Sequence, residues 1–450
     1  MFRLSLSLFL LISTFLSTPV AAATWRVVES VDIDDVPSWF PVEFSLLSHG
    51  GKHFVAYYNA GHEMTVAECK IGEKEWRKQT LPSKVGWDSH NYVTLAVDAK
   101  GQIHLAGNMH GHPLIYFRTT TPGDITTLTP AAMTGRDERR CTYPVFFTDA
   151  EANLLFIYRD GGSGDGSSIV NRYDAETQKW TRFLAEPLFD GEGQRNSYPL
   201  GPVQGSDGLF HLVWVWRDTP DCATNHHLSY VRSRDLKNWE TAAGEPVELP
   251  LRLGQENTWV DPIPSGGGII NGCQKLFIDS WQRPIVSYHK SDADGNMQVY
   301  VARFENGAWQ THAVTSWQKP VEFSGFGSMP FIGIKISGLR RLDAKHLYLN
   351  YRHRDFGEGQ IVLEEETLAP TTEHPQIETD YPADLNLIAM EPESDWPGMQ
   401  VHVADDKTTA PDAKQKYVLR WETLETNQDR PREPPLPPAS RLRLVVLERG

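Results

Sequence analysis

Short apolar runs separated by polar turns recur along the chain, and long helical periodicity is nearly absent. Three turns place Asp between two apolar runs, in residues 97–105, 206–212 and 278–285. Strand-like segments that contain Tyr and Arg follow the first two turns, at residues 114–118 and 228–232. Short strands joined by such turns are typical of an all-β protein.

A tryptophan closes several of these units after a polar turn: Trp76, Trp180, Trp239 and Trp309. Repeats of about 40 to 50 residues, each with four short strands and a recurring aromatic residue, are typical of propeller blades. The length accommodates about seven of them. We therefore predict an all-β, seven-bladed β-propeller as a single domain over residues 23–450, with a two-domain β-sandwich as the structural alternative. After a proline-rich surface crossing at 429–438, residues 442–447 are predicted to return as a strand that closes the ring.

The first residues have the layout of a secretory signal peptide. Arg3 precedes an apolar run from Leu4 to Leu16, and small residues follow up to Ala23. That run is too short to span a bilayer, which needs about 20 apolar residues. We predict a signal peptide at residues 1–22 and an exported protein, extracellular or periplasmic, without a membrane anchor.

Composition narrows the range of partners. The 450 residues include 14 Trp, 15 Tyr and 19 Phe, and 58 acidic against 43 basic side chains give a formal net charge of -15. This charge argues against nucleic acid as a partner. It leaves open a polyanionic substrate, because basic residues in a cleft can oppose the overall sign.

The residues best suited to chemistry lie between Trp87 and Arg232. His90 and His110 come near the ends of successive predicted strands, in turns with Asn or Gly whose side chains can reach a cleft. His104 and His211 follow strand turns and are expected to be packed and hydrogen-bonded instead. Arg159 opens a glycine-rich segment, where the alternative to a functional role is a salt bridge to a neighbouring aspartate. That segment lacks the Lys and the helix of a phosphate-binding loop.

The four cysteines outside the predicted signal peptide are too few for a disulfide framework in so long a chain. Buried small side chains, one bridge or part of a metal site are the alternatives. The sequence offers Cys222, His226 and Cys273 as candidate ligands of a structural zinc ion, although no CxxC spacing supports them.

Several segments together resemble those of secreted propeller proteins with neuraminidase-type repeats, a group that includes ulvan lyases. They are residues 98–118, 142–144, 158–166, 171–180, 197–199 and 216–239. The resemblance implies a seven-bladed propeller and β-elimination at a uronic acid of an anionic, sulfated algal polysaccharide. It also implies a structural zinc and no organic cofactor.

The resemblance also assigns roles to individual residues. His90 and Tyr143, the latter in a Thr-Tyr-Pro motif, match the catalytic positions, while His110, Arg159 and Tyr198 match positions that bind and neutralise the substrate carboxylate. An arginine suits this task because it stays charged and can donate two hydrogen bonds to a carboxylate. We hypothesise that Tyr143 and His90 form the acid/base pair, with a nearby arginine favouring the Tyr143 phenolate. The sequence does not fix which residue is the base.

Two other functions compete with this hypothesis. A sialidase would carry repeated Ser-x-Asp-x-Gly-x-Thr-Trp turns, whereas the nearest match, residues 233–239, occurs once and lacks the Gly and the Thr. A non-catalytic sugar-binding propeller would use Trp87, Trp214 and Trp216 as stacking platforms. The uronic acid epimer, the sulfation pattern and internal or terminal cleavage stay open, and we expect a monomer.

Overall fold

The computed structural model describes residues 25–372, 381–387, 396–410 and 413–450. Within these ranges the regular structure consists of β-strands and four short 3₁₀ helices. The 3₁₀ helices are Ile125–Thr127, Cys222–Thr224, Glu256–Thr258 and Ala383–Asn386. None of the helices in the described part of the chain is long and apolar enough to cross a membrane. The predicted signal peptide at residues 1–22 lies outside the described residues.

The strands of the described residues form seven antiparallel sheets. The chain begins with strand β1 (Trp25–Val36), which belongs to the last sheet. The first sheet has β2 (Ser45–His49), β3 (Lys52–Tyr58), β4 (Glu63–Lys70) and β5 (Arg77–Lys84). The second sheet has β6 (Val93–Val97), β7 (Ile103–Gly107), β9 (Tyr116–Thr119) and β10 (Leu128–Pro130). Strand β8 (His110–His112) lies between β7 and β9 along the chain but belongs to the next sheet. The third sheet, which β8 joins, has β11 (Cys141–Thr148), β12 (Leu154–Asp160), β13 (Ser167–Asp174), β14 (Lys179–Arg182) and β15 (Phe189–Asp190).

Four further sheets follow along the chain. The fourth has β16 (Asn196–Gln204), β17 (Phe210–Arg217), β18 (Asn225–Ser233), β19 (Trp239–Glu240), β20 (Pro246–Val247) and β21 (Trp259–Asp261). The fifth has β22 (Lys275–Ile278), β23 (Pro284–Ser291), β24 (Met297–Glu305) and β25 (Ala308–Ala313). The sixth has β26 (Ile334–Ile336), β27 (Arg340–Arg341), β28 (His346–His353) and β29 (Gly357–Glu364). The seventh has β30 (Met399–Asp405), β31 (Gln415–Leu424) and β32 (Ser440–Arg449), together with β1.

The two ends of the described chain meet in the seventh sheet. Its strand order is β1-β32-β31-β30, so the N-terminal strand pairs with the C-terminal strand. This is the ring closure predicted from residues 442–447. The sheets arranged in chain order and closed by both chain ends confirm the predicted all-β propeller, and their number in the described residues, seven, matches the predicted number of blades.

The first strands of neighbouring sheets surround the propeller axis. Strand β2 contacts both β6 and β30, and β6 contacts β11. Side chains at these strands therefore converge from different sheets on one central region. Between the sheets the core is apolar and aromatic. His104 and His211 are 0% and 1% exposed and hydrogen-bond to Tyr116 and Tyr230, which confirms their predicted packing.

Candidate active site

Two cavities meet at the centre of the propeller. The Arg159 cavity, of about 370 Å³, includes Arg159 and Tyr198 in its lining. The Lys335 cavity, of about 520 Å³, has a lining that includes Lys335. Both cavities share His90 and Tyr143 in their walls. The two residues that the sequence suggests for acid/base chemistry therefore lie where a polymer passing from one cavity into the other would cross.

A bulge in strand β11 sets the position of Tyr143. Thr142 pairs with Arg159 and Val145 pairs with Ile157, so the pairing register shifts between them. Tyr143 has φ +55°, in the left-handed region that non-glycine residues seldom adopt. Bulges re-aim side chains, and such strain persists only where the surrounding structure imposes it. The bulge turns Tyr143 to the cavities, and the described residues provide no hydrogen-bond partner for its hydroxyl group.

One carboxylate holds both His90 and His110. Asp88 Oδ1 lies 2.7 Å from His90 Nδ1, and Asp88 Oδ2 lies 2.6 Å from His110 Nδ1. Each Nδ1–H therefore donates to Asp88, and each Nε2 is left for other partners. The two rings lie 4.3 Å apart and the His110 ring is 6.0 Å from that of Tyr143. Asp88 thus fixes the orientation of both imidazoles beside Tyr143.

His90 has a second carboxylate partner from the distant end of the chain. Asp429 Oδ2 lies 3.2 Å from His90 Nδ1, and Asp429 is itself held by the backbone N–H groups of Ser89 and Ser328. Burial lowers the pKa of His90, but Asp429 and Asp88 outweigh burial and raise it to about 9. His90 is therefore an imidazolium at neutral pH. It is better suited to donate a proton than to accept one.

Two buried arginines flank the tyrosines. Arg159 and Arg217 are 4% and 7% exposed, and neither has a carboxylate partner among the described residues. Arg159 donates to the Gly161 carbonyl and lies 4.9 Å from the Tyr143 ring. Arg217 lies 5.6 Å from the Tyr198 ring. A buried cation without a counterion costs several kcal/mol, which makes this region a site for an anion.

The salt bridge considered for Arg159 is not formed. Asp165 instead accepts from Arg140 at 2.7 Å. Arg159 Nη1 donates to the Tyr198 hydroxyl at 3.4 Å, and Arg217 contacts the Asn271 side chain and backbone carbonyls. The structure therefore favours the functional interpretation of Arg159.

The two tyrosines at the site differ electrostatically. Burial raises the pKa of Tyr143 well above 10, although Arg159 and Arg217 act in the opposite direction. Burial also raises the pKa of Tyr198, but the same two arginines outweigh burial there and lower it overall. The arginines favour the Tyr143 phenolate, as expected from the sequence. Desolvation of Tyr143 is the larger effect, so the pKa of Tyr143 is raised overall. The Tyr198 hydroxyl is engaged with Arg159 and Ser163.

The predicted zinc ligands do not form a metal site. All four cysteines are buried and none forms a disulfide. The ligand atoms of Cys222, His226 and Cys273 do not lie within 4.8 Å of one another. His226 uses its two nitrogens on Asp218 and His227. These donors do not fit zinc as a set.

Cys273 pairs instead with His289. Burial raises the pKa of the Cys273 thiol, but the His289 imidazole outweighs burial and lowers it. In the described part of the chain, the single group of three His, Cys, Asp or Glu ligand atoms within 4.8 Å is Asp88, His90 and His110. The hydrogen bonds from His90 and His110 to Asp88 explain why these ligand atoms lie close to one another.

The structure places His90, Tyr143, Arg159 and Tyr198 in the walls of the cavities, and His110 lies beside His90 and Tyr143. Sequence reasoning missed three residues of the site: Asp88, Arg217 and Asp429. Asp88 follows Trp87 in the loop before β6, and Arg217 follows Trp216 at the end of β17. A charged residue directly after a tryptophan is a signal that could have found both. The suggested sugar platforms Trp214 and Trp216 were wrong, because both are completely buried in the core between the sheets.

Comparison with known proteins identifies relatives of part of the chain. The long isoform of ulvan lyase from Alteromonas sp. (strain LOR) is 50% identical over 132 residues, which are 27% of this chain and 13% of that protein. The short isoform from the same organism is 42% identical over 130 residues, 27% of this chain and 25% of that protein. The matched region thus spans a quarter or less of these curated relatives.

Solved structures match the whole fold at low identity. The polysaccharide lyase Uly1 has a TM-score of 0.62 and 14% identity, over 94% of this chain and 99% of that chain. A PL25 ulvan lyase bound to -[GlcA(1-4)Rha3S]- has a TM-score of 0.56 and 12% identity, over 93% of this chain and 95% of that chain. Residues 52–317 match the family described as BNR repeat-containing family member. Because that match covers more than half of the sequence, the chain belongs to the BNR repeat-containing family.

Proposed function

We propose that this protein is a polysaccharide lyase that cleaves ulvan, a sulfated uronate-containing polysaccharide, by β-elimination. The observation that carries the proposal is the pair of buried arginines, Arg159 beside Tyr143 and Arg217 beside Tyr198, without a carboxylate partner among the described residues. A uronate carboxylate supplies the anion that this region lacks.

The first requirement of the reaction is to neutralise that carboxylate. Removing the proton at C5 spreads negative charge onto the carboxylate in the transition state, so fixed donors aimed at it lower the barrier. Arg159 has N–H groups left after its bonds to Gly161 and Tyr198, and a guanidinium can grip a carboxylate through two of them. His110, fixed by Asp88, can supply a further hydrogen-bonding group.

The second requirement is proton transfer. In the proposed step the Tyr143 phenolate takes the C5 proton, the C4–O bond breaks, and a C4=C5 double bond forms. The departing oxygen receives the proton that His90 carries on Nε2 while Nδ1–H donates to Asp88 and Asp429. We assign the base to Tyr143 rather than Tyr198, because the Tyr198 hydroxyl is already engaged by Arg159 and Ser163.

The relatives support the choice of substrate. The similar curated proteins are ulvan lyases, and one solved neighbour is bound to a glucuronate and sulfated rhamnose repeat. A sugar-binding propeller is less well supported, because two of its three proposed platforms, Trp214 and Trp216, are not accessible. The acid/base groups at the junction of two cavities also favour an enzyme.

The test is the formation of unsaturated uronate ends, followed by ultraviolet absorbance with ulvan. We expect Tyr143→Phe and His90→Gln to lower the initial rate by at least about a thousandfold, because each removes a proton-transfer group. Tyr417→Phe, a tyrosine of the seventh sheet that bonds to Gln415, is the matched control and should keep the rate. Normal turnover in either site variant would contradict the assigned roles.

We further propose that the protein acts after export, as a monomer and without membrane attachment. The support is the leader-like pattern of residues 1–22 and the net charge of -15. Mass determination of the protein recovered from the culture medium and periplasm tests both the export and the cleavage after Ala22 or Ala23.

A further inference from the structure

The Lys335 cavity carries a cluster of cations that the proton-transfer steps do not use. Its lining includes Lys275, at the start of β22, Lys335 in β26 and Arg352 in β28. These residues come from the fifth and sixth sheets, whereas Arg159 comes from the third. The cluster therefore lies on the other side of the His90 and Tyr143 junction from the Arg159 cavity.

Two of these cations are direct neighbours across the strand pair. Lys335 pairs in register with Arg352, so their side chains share one face of the sheet. Like charges directly opposite each other destabilise a sheet unless something compensates them. Arg352 lies 4.4 Å from the Phe331 ring, and the Lys275 Nζ donates to the Gly272 carbonyl at 2.5 Å. Burial lowers the pKa of Lys275, Cys273 partly offsets that effect, and Lys335 lowers the pKa further, which places the two lysines within electrostatic reach.

The carboxylates nearby compensate this charge only weakly. Glu425 also lines the Lys335 cavity, but its Oε1 accepts the Phe331 backbone N–H at 2.7 Å. Glu358 lies 3.6 Å from Arg352, and its side chain is 77% exposed. An exposed pair of this kind is worth little. Neither lysine has a carboxylate partner among the described residues, in a protein whose overall charge is -15.

We propose that Lys275, Lys335 and Arg352 form a second anion subsite, which binds an oxyanion on the sugar next to the scissile bond. The oxyanion is a sulfate ester or a second carboxylate. This inference rests on the proposed function, which places the reacting uronate in the Arg159 cavity and so sets the direction in which the polymer runs. The uronate that reacts occupies the Arg159 cavity, its bond crosses the junction, and the neighbouring sugar presents its anion to the cluster.

The test is binding of three polymers to the intact protein: ulvan, chemically desulfated ulvan and carboxyl-reduced ulvan. Affinity electrophoresis gives the dissociation constant for the wild type and for the double variant Lys335→Gln, Arg352→Gln. We expect the double variant to bind ulvan at least about tenfold more weakly, because it loses charge-assisted hydrogen bonds. Lys179→Gln, an exposed lysine on strand β14, is the matched control and should bind as the wild type does.

The chemically altered polymers identify the anion. If the wild type and the double variant bind desulfated ulvan equally, the subsite takes a sulfate ester. If they differ there but bind carboxyl-reduced ulvan equally, it takes a carboxylate. An unchanged affinity of the double variant for ulvan, or an equal loss in Lys179→Gln, would overturn the proposal.

Binding and catalysis separate the two claims. A wild type that binds ulvan through Lys335 and Arg352 but forms no unsaturated ends would refute the lyase and leave the subsite. A wild type that forms unsaturated ends while the double variant keeps full affinity would refute the subsite and leave the lyase.

Discussion

At the scale of single residues, the site depends on whether each charged side chain has a partner of opposite charge. Arg159 and Arg217 are buried without carboxylate partners among the described residues, whereas the half-buried His90 has two, Asp88 and Asp429. The arginines therefore attract an anion, and the aspartates keep His90 protonated.

The role of Arg217 leads to the first prediction at this scale. Arg217→Lys should lower kcat/KM for ulvan by about 10- to 100-fold, because a point charge replaces a planar group that can donate to a carboxylate. Arg232→Lys, on strand β18 and paired with Glu240, is the control. Measurement on carboxyl-reduced ulvan should show no difference from the wild type in binding. An equal loss of binding there would mean that Arg217 acts on the fold instead.

The pKa of His90 gives a pH dependence with a defined sign. Its pKa is raised to about 9, so the proton donor is present below that pH and is lost above it. The pKa of Tyr143 is raised above 10, so the phenolate increases about tenfold per pH unit in this range. We expect kcat/KM to rise with pH and to level off near pH 9, where loss of imidazolium cancels the gain in phenolate.

Asp429 provides the test of this assignment. Asp429→Asn removes one of the two charges that raise the pKa of His90, so the levelling-off should move to lower pH in the pH profile of kcat/KM. Asp343→Asn removes a carboxylate beside His346, the first residue of strand β28, and should leave the profile unchanged. A profile of Asp429→Asn that coincides with the wild type would show that His90 is not the group that titrates.

The sequence indicated the five predicted site residues mainly through a family resemblance. It could not indicate Asp429, because that residue reaches His90 only after the chain has passed around the ring. It anticipated that an arginine favours the Tyr143 phenolate but not that desolvation raises the pKa of Tyr143 overall, since desolvation depends on the packed surroundings. Cys222, His226 and Cys273 carried a metal-like composition, yet the fold gives His226 to Asp218 and Cys273 to His289.

At the scale of elements, the strand ends around β11 to β13 are shaped to hold Tyr143 and Arg159. The bulge in β11 presents Tyr143, and the glycine-rich segment after β12 lets the chain pass close to Arg159. A Cβ atom at Gly166 would lie 2.7 Å from Arg159 Cδ and 2.2 Å from Asn196 Oδ1. The segment is rich in glycine because of this close packing.

Gly166→Ala tests this element. The added methyl group should displace Arg159 and lower kcat/KM by about a hundredfold, because misplacement of about 1 Å at an active site has effects of that size. Gly254→Ala is the control, since a Cβ there meets nothing within 4 Å. Steady-state kinetics with ulvan provides the measurement. Unchanged kinetics of Gly166→Ala would show that Arg159 does not depend on this packing.

At the scale of the whole molecule, closure of the ring connects the chain ends to the site. Strand β32 pairs with β1 and β31, and the segment that precedes β32 carries Asp429 to His90. The repeated strands, the Asp-containing turns and the proline-rich crossing allowed the all-β propeller and this closure to be predicted. They could not locate the cavities, because those depend on which strand ends of different sheets converge.

Leu442 tests the contribution of closure to stability. It is 0% exposed in β32 and belongs to the core that joins the first, second and seventh sheets. Leu442→Ala should lower the free energy of unfolding by about 2–5 kcal/mol. Thermal unfolding followed by circular dichroism measures the change. Val27→Ala, on the partner strand β1 and 37% exposed, should change it by less than about 1 kcal/mol. Equal effects of the two substitutions would contradict the role of the closure core.

The proposed reaction is the breaking of a uronate-containing polysaccharide by elimination. The most direct measurement is mass spectrometry of the oligosaccharides released from ulvan by the purified wild-type protein. We predict products with one unsaturated uronate end, each lighter by one water molecule than the corresponding hydrolysis product. Products with the mass of hydrolysis, or an unchanged polymer, would contradict the account.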